Sequence, residues 1–257
     1  METFVPTNEV ANCRLGRMLY NRHDAYIGRS LALYGEFSKG EADLFRQIVR
    51  PGEAVIDVGA NIGAHTVLFA QLAGPEGFVI AFEPQRIAYQ MLCANLALNS
   101  ITNAWCFQEA VGAEPGSILV PFVDPTKDNN FGGLPLGMHE SGQSVRVVTL
   151  DSLNVGRCRL IKIDVEGMEA EAIKGATETI ARHRPLLYVE NDRDDNTKSN
   201  LIGLIQSLGY STYWHRPMLF DPNNFLGNPE NVFSNLASHN MICVPTEKQD
   251  EIVIVRE

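Results

Sequence analysis

Short apolar runs alternate with amphipathic stretches along most of the chain after residue 53. Between the runs, apolar residues recur at helical spacing, as at Ile87, Met91 and Leu98. This alternation is typical of βαβ units, so we expect an α/β fold built around a mostly parallel sheet. The expected strands are residues 54–58, 78–82, 105–111, 160–165, 186–190, 210–214 and 241–244.

Glycine and proline mark where the helices end and where the chain leaves the sheet. The helix after the first strand should end at Gly74, because glycine takes a left-handed cap and the following proline prevents continuation. A single helical stripe is expected from Met168 to Ile180. Residues 115–143 hold too many breakers for a long helix, so we expect an excursion over the sheet edge that could form a hairpin. The last two strands should pair antiparallel.

Composition and charge narrow the class of protein. Of the 257 residues, 45% are hydrophobic and 20% are charged, as in packed globular domains. The 31 acidic and 21 basic residues give a net charge of −10, which disfavours nucleic-acid binding. The five cysteines are scattered, so neither a disulfide framework nor a structural zinc site is expected. No apolar run approaches the roughly 18 residues of a membrane span, and we expect a cytoplasmic protein without membrane contact.

The most informative segment is residues 57–63, Asp-Val-Gly-Ala-Asn-Ile-Gly, where the first strand passes into a helix. Glycines at the carboxyl end of a strand let a ligand approach the backbone closely, although an ordinary βα loop can also contain them. The spacing is not that of the dinucleotide fingerprint, which disfavours NAD. Asp57 would repel a pyrophosphate and suits an ammonium group, while Glu83 can accept hydrogen bonds from both ribose hydroxyls. Together these features favour S-adenosylmethionine, a nucleoside without phosphate.

Six short blocks stand out along residues 31–245. They are YGEF at 34–37, VIDVGANIG at 55–63, FEP at 82–84, NLALN at 95–99, TLDSL at 149–153 and IKIDVEGME at 161–169. These blocks, in this order, resemble those of the FkbM-type S-adenosylmethionine-dependent methyltransferases. The most distinctive is the last, with the pattern Lys-x-Asp-x-Glu-Gly-x-Glu.

This resemblance implies a class I methyltransferase fold, which is a Rossmann-like, mostly parallel seven-stranded sheet with helices on both faces. It also implies methyl transfer to a hydroxyl of a sugar or natural product, so the partner is a hydroxylated small molecule. A non-catalytic S-adenosylmethionine-binding module and an NAD-dependent oxidoreductase are the alternatives. We expect residues 1–30 to be an N-terminal extension and residues 31–250 to be the methyltransferase domain, with a homodimer as the candidate assembly.

The resemblance also indicates a set of cofactor-binding residues. No metal ligand is expected among them, and a magnesium site of Asp164, Asn191 and Asp192 is the alternative. Lys162, which lies inside an apolar strand, should pair with a nearby acid. The expected cofactor-binding residues are Glu36, Asp57, Gly59, Ala60, Asn61, Gly63, Thr66, Glu83, Pro84, Glu109, Ala110 and Asp164.

Methyl transfer requires that the acceptor hydroxyl is aligned and loses its proton. We expect Glu190 or His239 to accept this proton, because each adjoins a predicted strand and can titrate near neutral pH in a suitable environment. The acceptor should lie between residues 121–143 and residues 214–240. Aromatic side chains of these segments should form its apolar walls, or else only cover the open face of the sheet. They are Phe122, Phe131, Trp214, Phe220, Phe225 and Phe233.

Overall fold

The computed structural model describes residues 6–137, 139–192 and 195–251. The strands, numbered along the chain, are β1 (Asn8–Cys13), β2 (Gly16–Asn21), β3 (Ala54–Val58), β4 (Phe78–Phe82), β5 (Ala104–Phe107), β6 (Ala110–Val111), β7 (Gly116–Val120), β8 (Gln143–Val148), β9 (Leu160–Ile163), β10 (Leu186–Glu190), β11 (Tyr210–His215) and β12 (Asn240–Pro245). The helices are α1 (Ile27–Tyr34), α2 (Lys39–Ile48), α3 (Ala64–Ala73), α4 (Arg86–Leu98), α5 (Glu169–Lys174), α6 (Thr177–His183) and α7 (Asp195–Ser207). Two short 3₁₀ segments lie at Leu150–Leu153 and Thr246–Glu251.

Seven of these strands form the main sheet, in the order β11-β12-β10-β9-β3-β4-β5. β12 runs antiparallel to both of its neighbours, whereas β10, β9, β3, β4 and β5 run parallel. The chain steps outward from β3 to β4 and β5, and then returns to β9 on the other side of β3. Ligands bind at such a switch point, at the carboxyl ends of the strands. The expected seven-stranded, mostly parallel sheet is confirmed.

Helices cover both faces of this sheet, because alternate strand residues point to opposite sides. Ile56, Ile161 and Leu187 pack against residues of α5, α6 and α7 on one face. Val55 and Leu160 pack against residues of α2 and α3 on the other face. All five residues of β3 are buried. A strand that is covered on both faces is apolar along most of its length. The sequence pattern predicted β3 for this reason.

The third predicted strand is wrong in extent. β5 ends at Phe107, and the next two residues separate it from β6, which leaves the main sheet. β6 pairs with β8 in a separate three-stranded sheet of order β6-β8-β7. β7 and β8 pair antiparallel, so the excursion expected in residues 115–143 is a hairpin with a long connection at residues 121–142.

The single helix expected from Met168 to Ile180 is two helices, α5 and α6, because Asp151 interrupts it. The main-chain N–H of Asp151 donates to the carbonyl of Gly175 at 2.9 Å. The carboxylate of Asp151 accepts the main-chain N–H groups of Glu178 and Thr179, at 3.0 and 2.8 Å. A carboxylate that satisfies the free N–H groups of a first turn favours a new helix start there.

The N-terminal hairpin of β1 and β2 is fastened to α4 by two asparagines. Asn95 exchanges two hydrogen bonds with the main chain of Leu19, and Asn99 does the same with Arg17. The predicted division after residue 30 falls within α1 and stays a prediction.

Across the described ranges no helix is both long and apolar enough to cross a membrane, and the longest, α4 and α7, have 13 residues each.

Candidate active site

A cavity of about 320 Å³ opens at the carboxyl ends of β3, β4, β9 and β10. This volume is in the range of small-molecule sites. The loops that follow these strands form its floor. Its walls come from the chain around α1 and α2, from the connection between β7 and β8, and from the segment before β12. Residues that represent these walls are Tyr26, Phe37, Asn130, Leu219 and Ser238.

The loop after β3 brings the main chain close to the cavity. Gly59 has a φ angle of +80°, and a Cβ atom there would lie 1.7 Å from the main-chain oxygen of Asp164, so only glycine fits. Asn61 also has a positive φ angle, and it donates its main-chain N–H to Oε2 of Glu83 at 2.8 Å. The loop and the carboxylate are therefore fixed to each other, and Gly59, Ala60, Asn61 and Glu83 all line the cavity.

Glu83 presents a fixed carboxylate to the cavity just beyond β4. Its Oε1 accepts the main-chain N–H of Gln85 at 2.8 Å, and its Oε2 accepts that of Asn61. Burial raises the pKa of Glu83 to about 7, although both hydrogen bonds act to lower it. Each carboxylate oxygen has a further lone pair, so this group can accept hydrogen bonds from two neighbouring hydroxyls.

An apolar recess adjoins Glu83 on the side of β6. Pro84 and Ala110 line it, and Glu109 at the same recess forms an ion pair with Arg146 at 3.2 Å. The structure thus brings together two pairs of predicted residues that lie far apart in the sequence, Glu83 with Pro84 and Glu109 with Ala110. The other lining residues of the recess include Val58, Val111, Leu136, Val165 and Met168.

Asp57 and Thr66 do not take the place expected for them. Asp57 is 0% exposed and lies outside the lining of the cavity. Its Oδ2 accepts the hydroxyl of Thr66 at 2.7 Å, and its Oδ1 lies 3.6 Å from Nζ of Lys162. The hydrogen bond between Asp57 and Thr66 therefore fixes the start of α3 to the end of β3. The expected contact of Asp57 with a ligand ammonium does not fit this burial.

Lys162 is a buried cation in the floor of the cavity. Its Nζ donates to the carbonyl of Gly59 and to Oδ2 of Asp164, each at 3.2 Å. Burial alone would lower the pKa of Lys162, but the carboxylates of Asp164, Asp57 and Glu41 raise it above its usual value. The predicted pairing of Lys162 with an acid is confirmed, and the ammonium supports the glycine loop from below.

Glu190, the last residue of β10, lines the cavity beside two other acids. One carboxylate oxygen from each of Asp164, Glu166 and Glu190 lies within 4.8 Å of the others. Burial, followed by the charges of Asp164, Glu166 and Asp192, raises the pKa of Glu190 to about 10. Burial and these charges therefore favour the protonated carboxyl group, which can donate a hydrogen bond.

His239 is exposed and also lines the cavity, so both predicted catalytic residues lie there. Its main-chain oxygen accepts the N–H of Asn191 at 2.8 Å. The side chain of Asn191 is buried outside the cavity, where its Nδ2 lies 3.4 Å from Sδ of Met241. The alternative magnesium set is consequently not brought together, because Asn191 does not share the cavity with Asp164 and Asp192.

Glu36 and Gly63 belong to the predicted cofactor set but lie outside the cavity lining. The carboxylate of Glu36 forms an ion pair with Arg14 and accepts the main-chain N–H of Phe225 at 3.1 Å. Gly63 precedes α3 with a φ angle of +84°, and a Cβ atom there would lie 2.7 Å from Cδ1 of Leu92. Gly63 therefore permits the tight turn before α3 and does not form part of the cavity wall.

The aromatic residues expected to wall the acceptor do not line this cavity. Phe220 and Phe233 pack edge-on against Tyr34, with ring centroids 5.4 and 5.8 Å apart. Phe131 lines a smaller adjoining pocket above Glu83. Three others are exposed outside the cavity, namely Phe122, Trp214 and Phe225. The apolar walls come instead from Tyr26, Ile27, Phe37, Leu219 and Leu236.

Glu41 and His65 line the cavity and were not anticipated from the sequence. Glu41 lies in the first turn of α2, on the same helix face as the buried residues Phe45 and Ile48. A charged residue on an otherwise apolar stripe is unusual, and this was the available signal. Nδ2 of Asn240 donates to Oε1 of Glu41 at 3.0 Å.

The strand order, the single reversed strand, the glycine loop after the first parallel strand and the carboxylate after the second together define a class I S-adenosylmethionine-dependent methyltransferase. The family model of the methyltransferase FkbM domain matches residues 57–212, more than half of the chain, and the chain belongs to this family. The expected enzyme class and the expected cofactor, S-adenosylmethionine, are thereby confirmed.

The chain is similar to methyltransferases of several organisms. The 31-O-demethyl-FK506 methyltransferase FkbM of Streptomyces tacrolimicus is 26% identical over 204 residues, which cover 67% of this chain and 78% of the relative. The methyltransferase sdnD of Sordaria araneosa is 27% identical over 189 residues, or 61% and 73% of the two chains. The hexuronic acid methyltransferase AglP of Haloferax volcanii is 26% identical over 159 residues, or 55% and 59%.

A solved structure supports the fold. The methyltransferase FkbM from Methylobacillus flagellatus KT superposes with a TM-score of 0.52 at 19% sequence identity. The superposition covers 78% of this chain and 50% of that one, so the present chain spans about half the length of its structural relative. The likeness lies in the architecture of the sheet and its helices.

Proposed function

We propose that the enzyme transfers the methyl group of S-adenosylmethionine to a hydroxyl group on a small molecule, either a sugar or a natural product. The observation that carries this proposal is the continuity of one cavity, from Glu83 at one end to His239 at the other. Relatives named for hexuronic acid and for demethylated FK506 support this acceptor class. The net charge of −10 argues against a nucleic-acid acceptor.

The cofactor end of the cavity fits S-adenosylmethionine. Glu83 would accept the ribose hydroxyls, and the recess beside Pro84 and Ala110 would hold the adenine. The bound cofactor supplies a methyl group on a positively charged sulfur, and its neutral thioether product leaves without help from an acid. The side chains of the protein therefore have two tasks, which are to align the acceptor and to take up its proton.

Glu190 and His239 divide these two tasks at the acceptor end. Because burial and the neighbouring acids favour the protonated carboxyl group of Glu190, we assign to it a hydrogen bond that orients the acceptor oxygen. We assign the uptake of the proton to His239, whose exposed imidazole can pass the proton to water. The apolar side chains of Tyr26, Leu219 and Leu236 would enclose the carbon skeleton of the acceptor.

Transfer of a labelled methyl group to a panel of sugars, hexuronic acids and hydroxylated macrocycles tests the acceptor class. Incorporation into at least one hydroxylated small molecule is expected. Label that enters protein or RNA but none of these compounds would show that the acceptor class is wrong. In that case S-adenosylhomocysteine should still bind in calorimetry, because the cofactor end does not depend on the acceptor.

The same assay tests the division between Glu190 and His239. His239→Ala should lower kcat at least about tenfold, because a positioned base contributes a factor of this order or more. Glu190→Gln keeps a hydrogen-bond donor and should lose less. Both variants should bind S-adenosylhomocysteine as the wild type does. Unchanged turnover in His239→Ala would leave alignment as the catalytic contribution of the protein.

The homodimer and the cytoplasmic location stay predictions. Light scattering of the purified chain at several concentrations would measure its mass in solution. A mass of twice the 28.4 kDa of the chain is expected, and a constant mass of 28.4 kDa would contradict the homodimer.

A further inference from the structure

Glu41 is a buried carboxylate that belongs to the wall of the cavity. It is 4% exposed, and its Oε1 is held at 3.0 Å by Nδ2 of Asn240. The same Asn240 amide donates to the hydroxyl of Tyr188 at 3.1 Å, and that hydroxyl lies 2.8 Å from Nδ1 of His215. The position of Glu41 is therefore set by a chain of polar contacts, while its Oε2 lies 3.6 Å from Nε2 of His65, another residue of the cavity lining.

His65 is the neighbour of Glu41 across this part of the cavity. Its Nε2 lies 3.6 Å from Oε2 of Glu41, which is too long for a good hydrogen bond, and it has no other hydrogen-bond partner in the structure. The ring packs among Phe37, Phe45 and Phe69. Burial, followed by the charge of Lys162, lowers the pKa of His65 to about 3, so the imidazole is neutral.

Within the described ranges, no lysine or arginine nitrogen lies within 4.0 Å of the Glu41 carboxylate. The ammonium of Lys162 acts on it only from beyond that distance, because it is bound to Asp164, Asp57 and the carbonyl of Gly59. Burial raises the pKa of Glu41, so its ionised form needs a cationic partner. A ligand cation with several N–H donors would satisfy both the carboxylate of Glu41 and the imidazole nitrogen of His65.

The position of Glu41 and His65 relative to the glycine loop identifies the cation. Asn61, in the middle of the loop, contacts Glu83, where the ribose is assigned. His65 is the second residue of α3, immediately after the loop, and it contacts Glu41. A cofactor with its ribose at Glu83 that extends along the loop brings its amino-acid end toward Glu41. We propose that the Glu41 carboxylate binds the α-ammonium group at the methionine end of the cofactor.

This role is the one that the sequence assigned to Asp57, which is buried beneath the loop. The inference rests on the S-adenosylmethionine cofactor of the family and does not depend on the acceptor. Its test compares two nucleosides by calorimetry, S-adenosylhomocysteine and 5′-methylthioadenosine. Both contain adenine, ribose and a thioether, but only the first carries the amino-acid end.

The wild type should bind S-adenosylhomocysteine at least about tenfold more tightly than 5′-methylthioadenosine, as expected for hydrogen bonds to a charged group. Glu41→Gln should lose at least about tenfold in affinity for S-adenosylhomocysteine and less than about twofold for 5′-methylthioadenosine. The matched control is Glu83→Gln, which should weaken both nucleosides by the same factor, because both contain the ribose.

Three results would overturn the proposal. The first is a wild type that does not distinguish the two nucleosides, and the second is a Glu41→Gln variant that weakens both equally. The third is unchanged nucleoside binding with a lower kcat/KM for the acceptor, which would place Glu41 at the acceptor. If Glu41→Gln does not fold in a thermal melt, Glu41→Asp keeps the charge and should show an intermediate loss for S-adenosylhomocysteine alone.

Discussion

Glu83 and Glu190 both stand at the carboxyl ends of strands of one sheet and both line one cavity, but their surroundings differ. At Glu83, two main-chain N–H groups fix the carboxylate and counteract the effect of burial, and the pKa is raised to about 7. At Glu190, burial raises the pKa to about 10, and the charges of Asp164, Glu166 and Asp192 contribute in the same direction. The first group is prepared to accept hydrogen bonds and the second to donate one.

This difference reflects how the two ends of the cavity are built. The cofactor end consists of short loops directly after β3 and β4, whose main chain holds the functional side chain. The acceptor end is assembled from segments far apart in sequence, represented by Tyr26, Asn130, Leu219 and His239. A common cofactor can therefore be bound by a fixed local structure, while the walls around the acceptor can vary from one relative to another.

The largest effect should come from Gly59→Ala, which breaks the cofactor end. The new Cβ would overlap the main-chain oxygen of Asp164, and alanine at a φ angle of +80° adds backbone strain of about 1–3 kcal/mol. We expect lower stability in urea unfolding and no measurable S-adenosylhomocysteine binding in calorimetry. The control is Gly52→Ala, which has a similar φ angle of +84° but no atom within 4 Å of its Cβ, and which should bind normally. Normal binding by Gly59→Ala would contradict this close approach.

Glu83→Ala should have the next largest effect. Loss of hydrogen bonds to a charged group should weaken cofactor binding by about 1.5–3 kcal/mol, with the fold retained. Calorimetry with S-adenosylhomocysteine measures this loss, and circular dichroism checks the fold. The matched change at the other end, Glu190→Gln, should stay within about threefold of wild-type affinity, because distant sites act independently. Equal losses in the two variants would remove the distinction between the two ends.

The cofactor end could be predicted from the sequence because its signals are local. Two apolar runs each predict a strand from their own residues. The ends of these runs are followed by Gly59, Asn61 and Glu83. The contact between Glu41 and Asn240 joins residues 199 positions apart, and no periodicity links them. The burial of Asp57 was missed for a related reason, since it depends on Thr66 and Lys162 meeting it beneath the loop.

Other errors arose where tertiary contacts overrode a regular pattern. The run at residues 105–111 is continuous in sequence, but its second half pairs with β8 instead of continuing beside β4. The aromatic residues of the acceptor segments have the composition of a binding wall, yet Phe220 and Phe233 are drawn into a cluster with Tyr34. Composition predicted the segments that line the cavity, but it did not predict which side chains face it.

The pH dependence of binding should sharpen the description of Glu83. Its pKa is raised from 4.5 to about 7, so its contribution to the stability of the ligand-free protein is present below pH 4.5 and is lost as the pH rises through 7. Ribose hydroxyls donate to the ionised form, so S-adenosylhomocysteine affinity should increase from pH 6 to pH 8, by less than about tenfold. Calorimetry at both pH values measures the change. Glu83→Gln should flatten it, and the same slope in this variant would assign the titration to another group.

The smallest effect should come from Glu36→Gln. This variant tests whether the cofactor end of the cavity includes Glu36 of the N-terminal segment, as the resemblance implies. The carboxylate of Glu36 is occupied by Arg14 and by the main-chain N–H of Phe225, outside the cavity lining. Glutamine keeps an oxygen that can accept the N–H, and the guanidinium is one-third exposed, so the loss of stability should stay below about 1 kcal/mol. S-adenosylhomocysteine affinity should change less than about twofold in calorimetry. A tenfold loss would instead mean that Glu36 leaves Arg14 when the cofactor binds, and the cofactor end would then include a segment that closes over it.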